Sequence, residues 1–144
     1  MMDRRALVLL LSAAFAALSC VRPESTENFV KAADAEDGVY RFTLPLSDTL
    51  CRYDISFYTR TEGGSDASLE LVAGWVSPSG ATHVDTVYMA AGGPRGILAP
   101  YRTDVETFEL GDWQLNVEVP EAPEGFLGLG VICKRKEYGT RQTP

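Results

Sequence analysis

The chain has 144 residues, of which 45% are hydrophobic and 23% are charged, and its formal net charge at pH 7 is −7. This acidic balance argues against binding to nucleic acid and against electrostatic attraction to anionic lipid, because both surfaces repel negative charge. The length allows one domain with a hydrophobic core of its own, which needs neither a metal ion nor a disulfide to fold.

The N-terminus predicts a secretory signal peptide over residues 1–19. Arg4 and Arg5 precede an apolar run over residues 6–18, and the small residue Ser19 comes directly before a cysteine. A basic start, an apolar centre and a small residue at the cleavage point are typical of such signals. The run is too short to span a bilayer, which needs about 20 apolar residues.

The residue at the cleavage point decides how the mature protein is held. A cysteine there indicates a lipoprotein in which Cys20 is acylated and becomes the new N-terminus, and several acyl chains hold a protein firmly on a membrane. Ala17 and Leu18 stand in the reverse of the usual order, so cleavage to a soluble periplasmic protein and an uncleaved anchor stay open. The lipoprotein interpretation places the protein in the cell envelope, with the outer membrane as its expected site.

Residues 20–38 are predicted to form a tether after the lipidated cysteine. Its start is polar and contains a proline, and for residues 29–33 a first strand and a helical turn both stay open. The acidic side chains that follow lack the spacing of an EF-hand calcium loop. A solvated acidic turn is therefore the favoured interpretation of Asp34, Glu36 and Asp37.

From residue 39 onward, apolar residues alternate with polar ones, which is the period of a half-buried strand. The runs with this period cover residues 40–44, 51–58, 69–75, 82–89, 113–119 and 127–133, and residues 105–110 are a weaker candidate. Residues 77–80, SPSG, have the proline and glycine positions of a type I turn and predict a hairpin. Residues 90–103 are rich in glycine and proline and predict a long ordered loop or an edge crossing.

Six or seven short strands without an amphipathic helix predict an all-β domain, a single antiparallel β-sandwich over residues 39–134 with a polar tail at 135–144. A small barrel is the alternative. Glycines in the last strand predict close contact with another backbone or a bulky ring. The core candidates are the bulky residues on the apolar faces, namely Ile55, Phe57, Trp75, Trp113, Leu115 and Leu129.

Few residues in the chain point to reactive chemistry. Cys51 and Cys133 follow the apolar alternation, and they either pair in an oxidising compartment or remain buried free thiols. His83 is the single histidine. It shares a strand face with Asp85, which allows a pH-sensitive hydrogen bond between them, but a purely structural histidine is the favoured interpretation. One histidine does not make a multi-histidine metal site, and no nucleophile motif accompanies it. We therefore expect no enzyme activity, no metal and no cofactor.

The order of short motifs resembles that of the GldH-type gliding-motility lipoproteins of Bacteroidetes. In chain order, the motifs are the turn with Pro78 and Gly80, the pair Asp85-Thr86, the loop glycine Gly96, Phe108, and the Gly-x-aromatic motif of Gly111 and Trp113. The glycine-rich strand GLGVICK closes the likeness, and the earlier segment FTLPLSDTLCRYDISFYTR is similar to two strands of the family. The likeness covers residues 39–134 and departs from the family pattern at TEGGSDAS and in the glycine-rich loop.

This resemblance implies an envelope lipoprotein that supports the gliding apparatus, which is linked to type IX secretion. Its partners would be other envelope lipoproteins or proteins of that machinery, bound through a sheet edge or through residues 90–103, which contain Tyr101. The family has no known catalytic residues to carry over. For Asp85 and Thr86, hydrogen bonds to backbone amides near the turn are favoured over partner contact.

A different class of function stays open beside the resemblance. A lipid-anchored surface module can bind glycans by stacking sugars on exposed aromatic rings, and Tyr58, Tyr88 and Tyr101 are the candidates. Tyrosines scattered along a chain are more often ordinary amphipathic cover than a binding platform. The sequence therefore favours the subunit of an envelope assembly.

Overall fold

The structure is a computed structural model that describes residues 25–48 and 50–137. The predicted signal peptide, the predicted lipidation site Cys20 and most of the predicted C-terminal tail lie outside these residues. Within the part of the chain that the structure describes, no helix is long and apolar enough to cross a membrane.

The chain folds into a β-sandwich of two four-stranded antiparallel sheets, and the predicted fold class is confirmed. Its strands, in chain order, are β1 (Ser25–Lys31), β2 (Val39–Leu46), β3 (Cys51–Thr61), β4 (Ser65–Val76), β5 (Thr82–Gly92), β6 (Ile97–Val105), β7 (Gly111–Glu118) and β8 (Phe126–Glu137).

The strands pair like the two halves of one long hairpin that is folded over. β1 pairs with β8, β2 with β7, β3 with β6 and β4 with β5, all antiparallel. Alternate pairs enter opposite sheets, which gives the strand orders β1-β8-β3-β6 and β2-β7-β4-β5. This is the arrangement of a jelly roll. It leaves β1, β6, β2 and β5 as edge strands.

The alternation of apolar and polar residues explains which face of each strand is buried. In β2, Tyr40, Phe42, Leu44 and Leu46 are buried, and the residues between them are exposed. Successive side chains of a strand point to opposite faces, so each sheet turns one apolar face towards the other. Each large apolar side chain buried there contributes about 1.5–3 kcal/mol.

The six predicted core residues are all buried between the sheets. Ile55, Phe57, Leu115 and Leu129 have at most 1% of their surface exposed, whereas Trp75 and Trp113 keep 8% and 9%. The two tryptophans are the more exposed ones because they line a cavity at one end of the sandwich. The core prediction is therefore confirmed.

The sandwich begins earlier than predicted. β1 takes up residues of the predicted tether, and it ends at Lys31. A single 3₁₀ turn follows over Ala32–Asp34, so the two interpretations of residues 29–33 each hold in part. β1 is an edge strand in which no residue is fully buried, and for this reason it has little of the alternation that identifies the other strands.

The prediction of a long loop over residues 90–103 is wrong, whereas the alternative of an edge crossing holds, because β5 and β6 are edge strands of different sheets. β5 continues to Gly92 and β6 begins at Ile97, so a short turn is all that separates them. Pro100 is compatible with β6 because an edge strand has a side on which no neighbour needs the missing N–H. The weaker strand candidate at residues 105–110 is also wrong, since nearly all of it forms the connection between β6 and β7.

Two glycines in β8 let β1 approach closely, as predicted. A Cβ on Gly128 or Gly130 would meet the ring of Phe29 and the backbone of β1. Phe29 also packs edge-on against Tyr58, with 6.2 Å between the ring centroids. Both glycines therefore make room for an aromatic cover on the outer side of this sheet.

The two ends of the sandwich carry different connections. At one end, which we call the cavity end, β1 begins and the connections β2–β3, β4–β5 and β6–β7 lie. The register places Ser25 opposite Lys134, and Lys134 opposite Asp54 near the start of β3. The opposite end carries the connections β1–β2, β3–β4, β5–β6 and β7–β8.

Candidate binding site at the cavity end

A cavity of about 260 Å³ opens between the two sheets at the cavity end. Its wall is mainly apolar and includes Leu46, Ile55, Trp75, Val105 and Trp113. This volume lies below the range of pockets that enclose drug-sized ligands. It suits one ring or one aliphatic side chain of a partner.

A series of aromatic rings runs from the surface into the core beside this cavity. Phe108, whose side chain is 83% exposed, packs edge-on against Trp113 with 5.3 Å between centroids. Trp113 packs edge-on against Trp75 at 6.2 Å, and Trp75 stacks on Tyr101 at the same distance. Phe108 is therefore the ring in this series that a partner would meet first.

The position of Phe108 depends on a hydrogen bond from the strand that follows it. Trp113 Nε1 donates to the backbone carbonyl of Glu109 at 2.9 Å, and Glu109 Oε2 accepts from the Ser79 hydroxyl at 2.8 Å. These bonds hold the β6–β7 connection against β7 and the β4–β5 turn. They leave Phe108 directed away from the core.

Asp85 forms the centre of a polar cluster next to the cavity. Its carboxylate accepts hydrogen bonds from the Tyr101 hydroxyl at 2.6 Å and from Arg102, and it lies 2.9 Å from His83 Nε2. Tyr101 accepts in turn from Trp75 Nε1 at 2.9 Å. Since Asp85 lies on β5 and Tyr101 on β6, the cluster joins the edge strands of the two sheets. The predicted shared face of His83 and Asp85 is confirmed.

This environment lowers the pKa of the Asp85 carboxyl below its usual value of 3.8. The hydrogen bond from Tyr101 is the main cause, burial opposes it, and the bond and charge of Arg102 lower the pKa further. Burial and the same bond raise the pKa of Tyr101 above 10.0. Asp85 is therefore charged and Tyr101 neutral near pH 7, and their bond is charge-assisted.

Asp85 and Thr86 do not act as a pair. Adjacent residues of a strand point to opposite faces, so Asp85 turns towards β6 and Thr86 towards solvent. The expectation that Asp85 bonds backbone amides is wrong, because its hydrogen bonds go to side chains, namely His83 on the same strand and Tyr101 and Arg102 across the sandwich. Thr86 is left as an exposed residue on the outer face of β5.

The remaining motif residues at the cavity end shape the β4–β5 turn. The N–H of Gly80 donates to the carbonyl of Ser77 at 2.9 Å, which closes the predicted turn between two paired strands. Gly111 has a φ of +133°, and a Cβ there would lie 3.1 Å from Pro78 Cγ. Pro78, Gly80 and Gly111 therefore have structural roles in packing this turn against the start of β7.

Gly96 lies at the opposite end of the sandwich, away from the other motif residues. Its φ is +80°, and a Cβ there would overlap the ring of Tyr58, whose hydroxyl donates to the carbonyl of Arg95 at 3.0 Å. Tyr88 is 66% exposed on the outer face of β5, and Tyr101 is bonded to Asp85. The three tyrosines considered for sugar stacking therefore do not share one surface.

Cys51 and Cys133 are buried free thiols. Cys133 lies opposite Ile55 in the β3–β8 register. Ile55 is four residues along β3 from Cys51, a distance of about 13 Å at roughly 3.3 Å per residue. A disulfide needs Cα atoms within about 7 Å, so the two cysteines are too far apart to form one. Burial raises the pKa of Cys133 to about 11, which keeps this thiol protonated and poorly reactive near pH 7.

The described residues contain no group of three or more His, Cys, Asp or Glu side chains placed to hold a metal ion. The acidic residues after β1 are exposed, as expected for a solvated turn: Asp34, Glu36 and Asp37. Asp37 has a φ of 53°, a conformation that aspartate tolerates better than most residues. The turn therefore serves the chain reversal into β2.

Sequence reasoning missed the role of Arg102 and the exposure of Phe108. Arg102 follows Tyr101 in a segment whose glycine and proline content hid the strand. Phe108 appears in the family motif, but no periodicity in residues 106–110 indicates which side chain faces solvent. Both features depend on contacts between elements that are distant in sequence.

Comparison of the chain with protein-family models, with curated proteins and with solved structures finds no match. The resemblance to GldH-type lipoproteins therefore stays a prediction.

Proposed function

We propose that this protein is a lipid-anchored, non-catalytic subunit of a cell-envelope assembly, of the kind that its resemblance to gliding-motility lipoproteins implies. The observation that carries the proposal is the outer face of the edge strand β5. Its solvent-facing residues carry no charge; they are Thr82, Val84, Thr86, Tyr88 and Ala90. Exposed strand edges of this composition are templates for pairing with another chain.

The other edge strands carry features that discourage such pairing. β2 contains Arg41 and Pro45, β6 contains Pro100 and Arg102, and β1 ends in Lys31. Charged side chains and prolines on an edge oppose the addition of a further strand. β5 is accordingly the edge best suited to accept a partner.

Exposed side chains on β5 would add to backbone pairing. Val84 and Tyr88 are 64% and 66% exposed, and they lie opposite Gly74 and Glu70 on β4. Strand addition obtains affinity from main-chain hydrogen bonds and specificity from alternate side chains. An exposed tyrosine is also a common hot spot of protein interfaces.

The polar cluster supports a role without catalysis. Both carboxylate oxygens of Asp85 are engaged by neighbouring side chains, and its lowered pKa makes it a weak base. The cluster joins β5 to β6. In this proposal it holds the partner-binding edge in place.

The partner-binding proposal is tested by substituting one exposed threonine on each of the two edge strands of the same sheet. Thr86 lies on β5 and Thr43 on β2, and both are exposed. We expect Thr86→Lys to lower recovery of crosslinked envelope proteins from native membranes by about tenfold or more, because a lysine on the edge opposes pairing. Thr43→Lys should leave recovery unchanged. Equal recovery with the wild type and both variants contradicts the proposal.

The lipid anchor has its own test. We expect Cys20→Ala to move the protein from the membrane fraction to the soluble fraction of the envelope, because the acyl chains supply the membrane affinity. A variant that stays with the membrane contradicts anchoring through this cysteine.

A lipid-anchored glycan-binding module is the second candidate. The observation that favours it is the Thr107 hydroxyl, which lines the cavity, is buried, and has no hydrogen-bond partner among the described residues. A sugar hydroxyl would satisfy it while a sugar ring stacks on Phe108. Binding of the lipid-free domain to a glycan array, abolished by Phe108→Ala, would favour this candidate over the first.

A further inference from the structure

The position at which β1 begins determines which end of the sandwich lies nearest the lipid anchor. Ser25 pairs with Lys134 on β8, and Lys134 pairs with Asp54 on β3. The neighbour of Asp54, Tyr53, pairs with Val105 at the end of β6. The first residue of β1 therefore lies at the cavity end, which also carries the β6–β7 connection.

The chain between the anchor and this strand is short. Residues 21–24 separate Cys20 from Ser25, and five Cα steps of at most about 3.6 Å reach no further than about 18 Å. A lipidated Cys20 therefore keeps the cavity end within this distance of the bilayer. The opposite end lies a strand length further away.

The cavity end exposes large apolar side chains. Phe108 is 83% exposed, Leu50 is 72% exposed and Leu110 is 47% exposed. Leu50 and Phe108 each lie two residues from one member of the ion pair between Arg52 and Glu106, whose atoms are 2.8 Å apart. That ion pair joins the start of β3 to the β6–β7 connection, so both apolar side chains belong to the same end of the sandwich. Several exposed apolar groups on one end of a molecule mark contact with a protein or a membrane.

Several charges at this end are joined in ion pairs, although the chain as a whole is acidic. Arg52 pairs with Glu106, and Lys136 pairs with Asp54 at 2.9 Å and with Asp104. Ion pairing reduces the repulsion that an acidic surface would meet at anionic lipid. The connections at the opposite end, in contrast, carry exposed acidic residues, which include Asp34, Glu36, Glu62, Glu121 and Glu124.

We propose that the cavity end rests on the lipid bilayer, with Phe108 and Leu50 in its interfacial region and the cavity mouth facing the lipid. The inference rests on the lipidation of Cys20 in the proposed function. Aromatic and aliphatic side chains at the interface add to the affinity that the acyl chains supply. In this orientation the outer face of β5 stands at the side of the molecule and stays accessible to a partner.

The test compares the accessibility of two introduced thiols in the full-length, lipidated protein. Phe108→Cys places a thiol at the cavity end, and Glu124→Cys places one at an exposed position of the opposite end. Vesicles of phosphatidylethanolamine and phosphatidylglycerol provide the bilayer. The native thiols are buried, so the protein without an introduced cysteine gives the background rate of reaction with a polymer-linked maleimide.

We expect the thiol at position 108 to react at least about fivefold more slowly on vesicles than in the same variant combined with Cys20→Ala, because the bilayer excludes the polymer. The rate at position 124 should not change. Leu50→Cys provides a second probe of the cavity end and should be protected to a similar degree. Equal rates at positions 108 and 50 with and without the anchor overturn the inference.

Flotation of the same samples separates the two proposals. A protein that floats with the vesicles but reacts at position 108 as fast as its unanchored form keeps its anchor and contradicts only the proposed orientation. A protein that does not float contradicts lipidation, and the orientation falls with it. Protection at position 108 in a floating sample supports both.

Discussion

The two ends of the sandwich are built from the same strands but are completed in different ways. At the end opposite the cavity, contacts within the chain close the turns: the N–H of Glu62 donates to the carbonyl of Gly125 at 2.7 Å, and the ring of Tyr58 covers Gly96. At the cavity end, the β6–β7 connection leaves a cavity beside the exposed Phe108.

This difference separates residues that stabilise the fold from residues that are available for binding. The ring of Tyr58 packs against Gly96 and its hydroxyl bonds the carbonyl of Arg95, so substitution of either residue should affect stability. Phe108 contacts Trp113 but remains largely in water, so its contribution to stability should be small. Phe108 is therefore available for contact with another surface, as the proposed orientation requires.

The largest expected effect contrasts two rings that touch each other at the cavity end. Trp113→Ala should lower the free energy of unfolding by about 3–5 kcal/mol, because it removes a buried ring and leaves a cavity. Phe108→Ala should change it by no more than about 0.5 kcal/mol, as is usual for exposed positions. Urea unfolding followed by circular dichroism measures both variants.

A loss of several kcal/mol for Phe108→Ala would contradict this view. It would mean that the exposed ring serves folding and that the two ends do not differ in the way proposed. Phe108→Leu, which keeps an apolar side chain at the same place, would then recover most of the lost stability.

An intermediate effect is expected at the turns of the opposite end. Gly96→Ala should cost about 2 kcal/mol, because it combines an unfavourable positive φ with displacement of the Tyr58 hydroxyl from its hydrogen bond. Gly63→Ala is the matched control: Gly63 has a φ of +69° and nothing within 4 Å of an added Cβ, so it should cost about 1 kcal/mol. Thermal unfolding of both variants tests the difference, and equal costs would exclude a role for Tyr58.

The smallest effect concerns the link between the two sheets. Asp85→Asn should lower stability at pH 7 by about 1 kcal/mol, because a neutral amide accepts weaker hydrogen bonds from Tyr101 and Arg102 than a carboxylate does. Thr86→Ala, on the outer face of the same strand, is the control and should cost less.

The acid dependence of this variant has a definite sign. The folded pKa of Asp85 lies below 3.8, so its carboxylate contributes stability that is fully present above the unfolded value and lost as the pH falls through the folded value. The difference between wild type and Asp85→Asn should therefore shrink below about pH 3.8 in urea unfolding curves. A difference that is constant down to pH 2 would mean that the charge of Asp85 does not stabilise the fold.

Much of the fold was predictable because strand faces are a local property. The alternation around Phe57, Trp75 and Leu115 identified buried residues without knowledge of their partners. The same method failed over residues 90–103, because an edge strand tolerates proline and the alternation there is weak. It also assigned the start of β1 to the tether and did not decide between a strand and a helical turn after it, because β1 is held mainly by its pairing with β8.

The candidate site was predictable only in part. His83 and Asp85 share a strand, so their common face followed from their spacing. The contacts of Asp85 with Tyr101 and Arg102 join strands of different sheets. The spacing of residues along the chain does not predict which strands of different sheets come into contact. Lipidation at Cys20 and the family resemblance stay predictions that depend on the experiments above.

The sequence by itself determined the class of the fold and the buried face of most strands, because the two-residue period of a strand is written in neighbouring residues. Only the tertiary structure decided that the chain winds as a jelly roll, that Phe108 stays exposed beside a cavity, and that β1 begins at that same end. These features depend on which distant strands pair, and the pairing is set by how all the apolar faces are buried together.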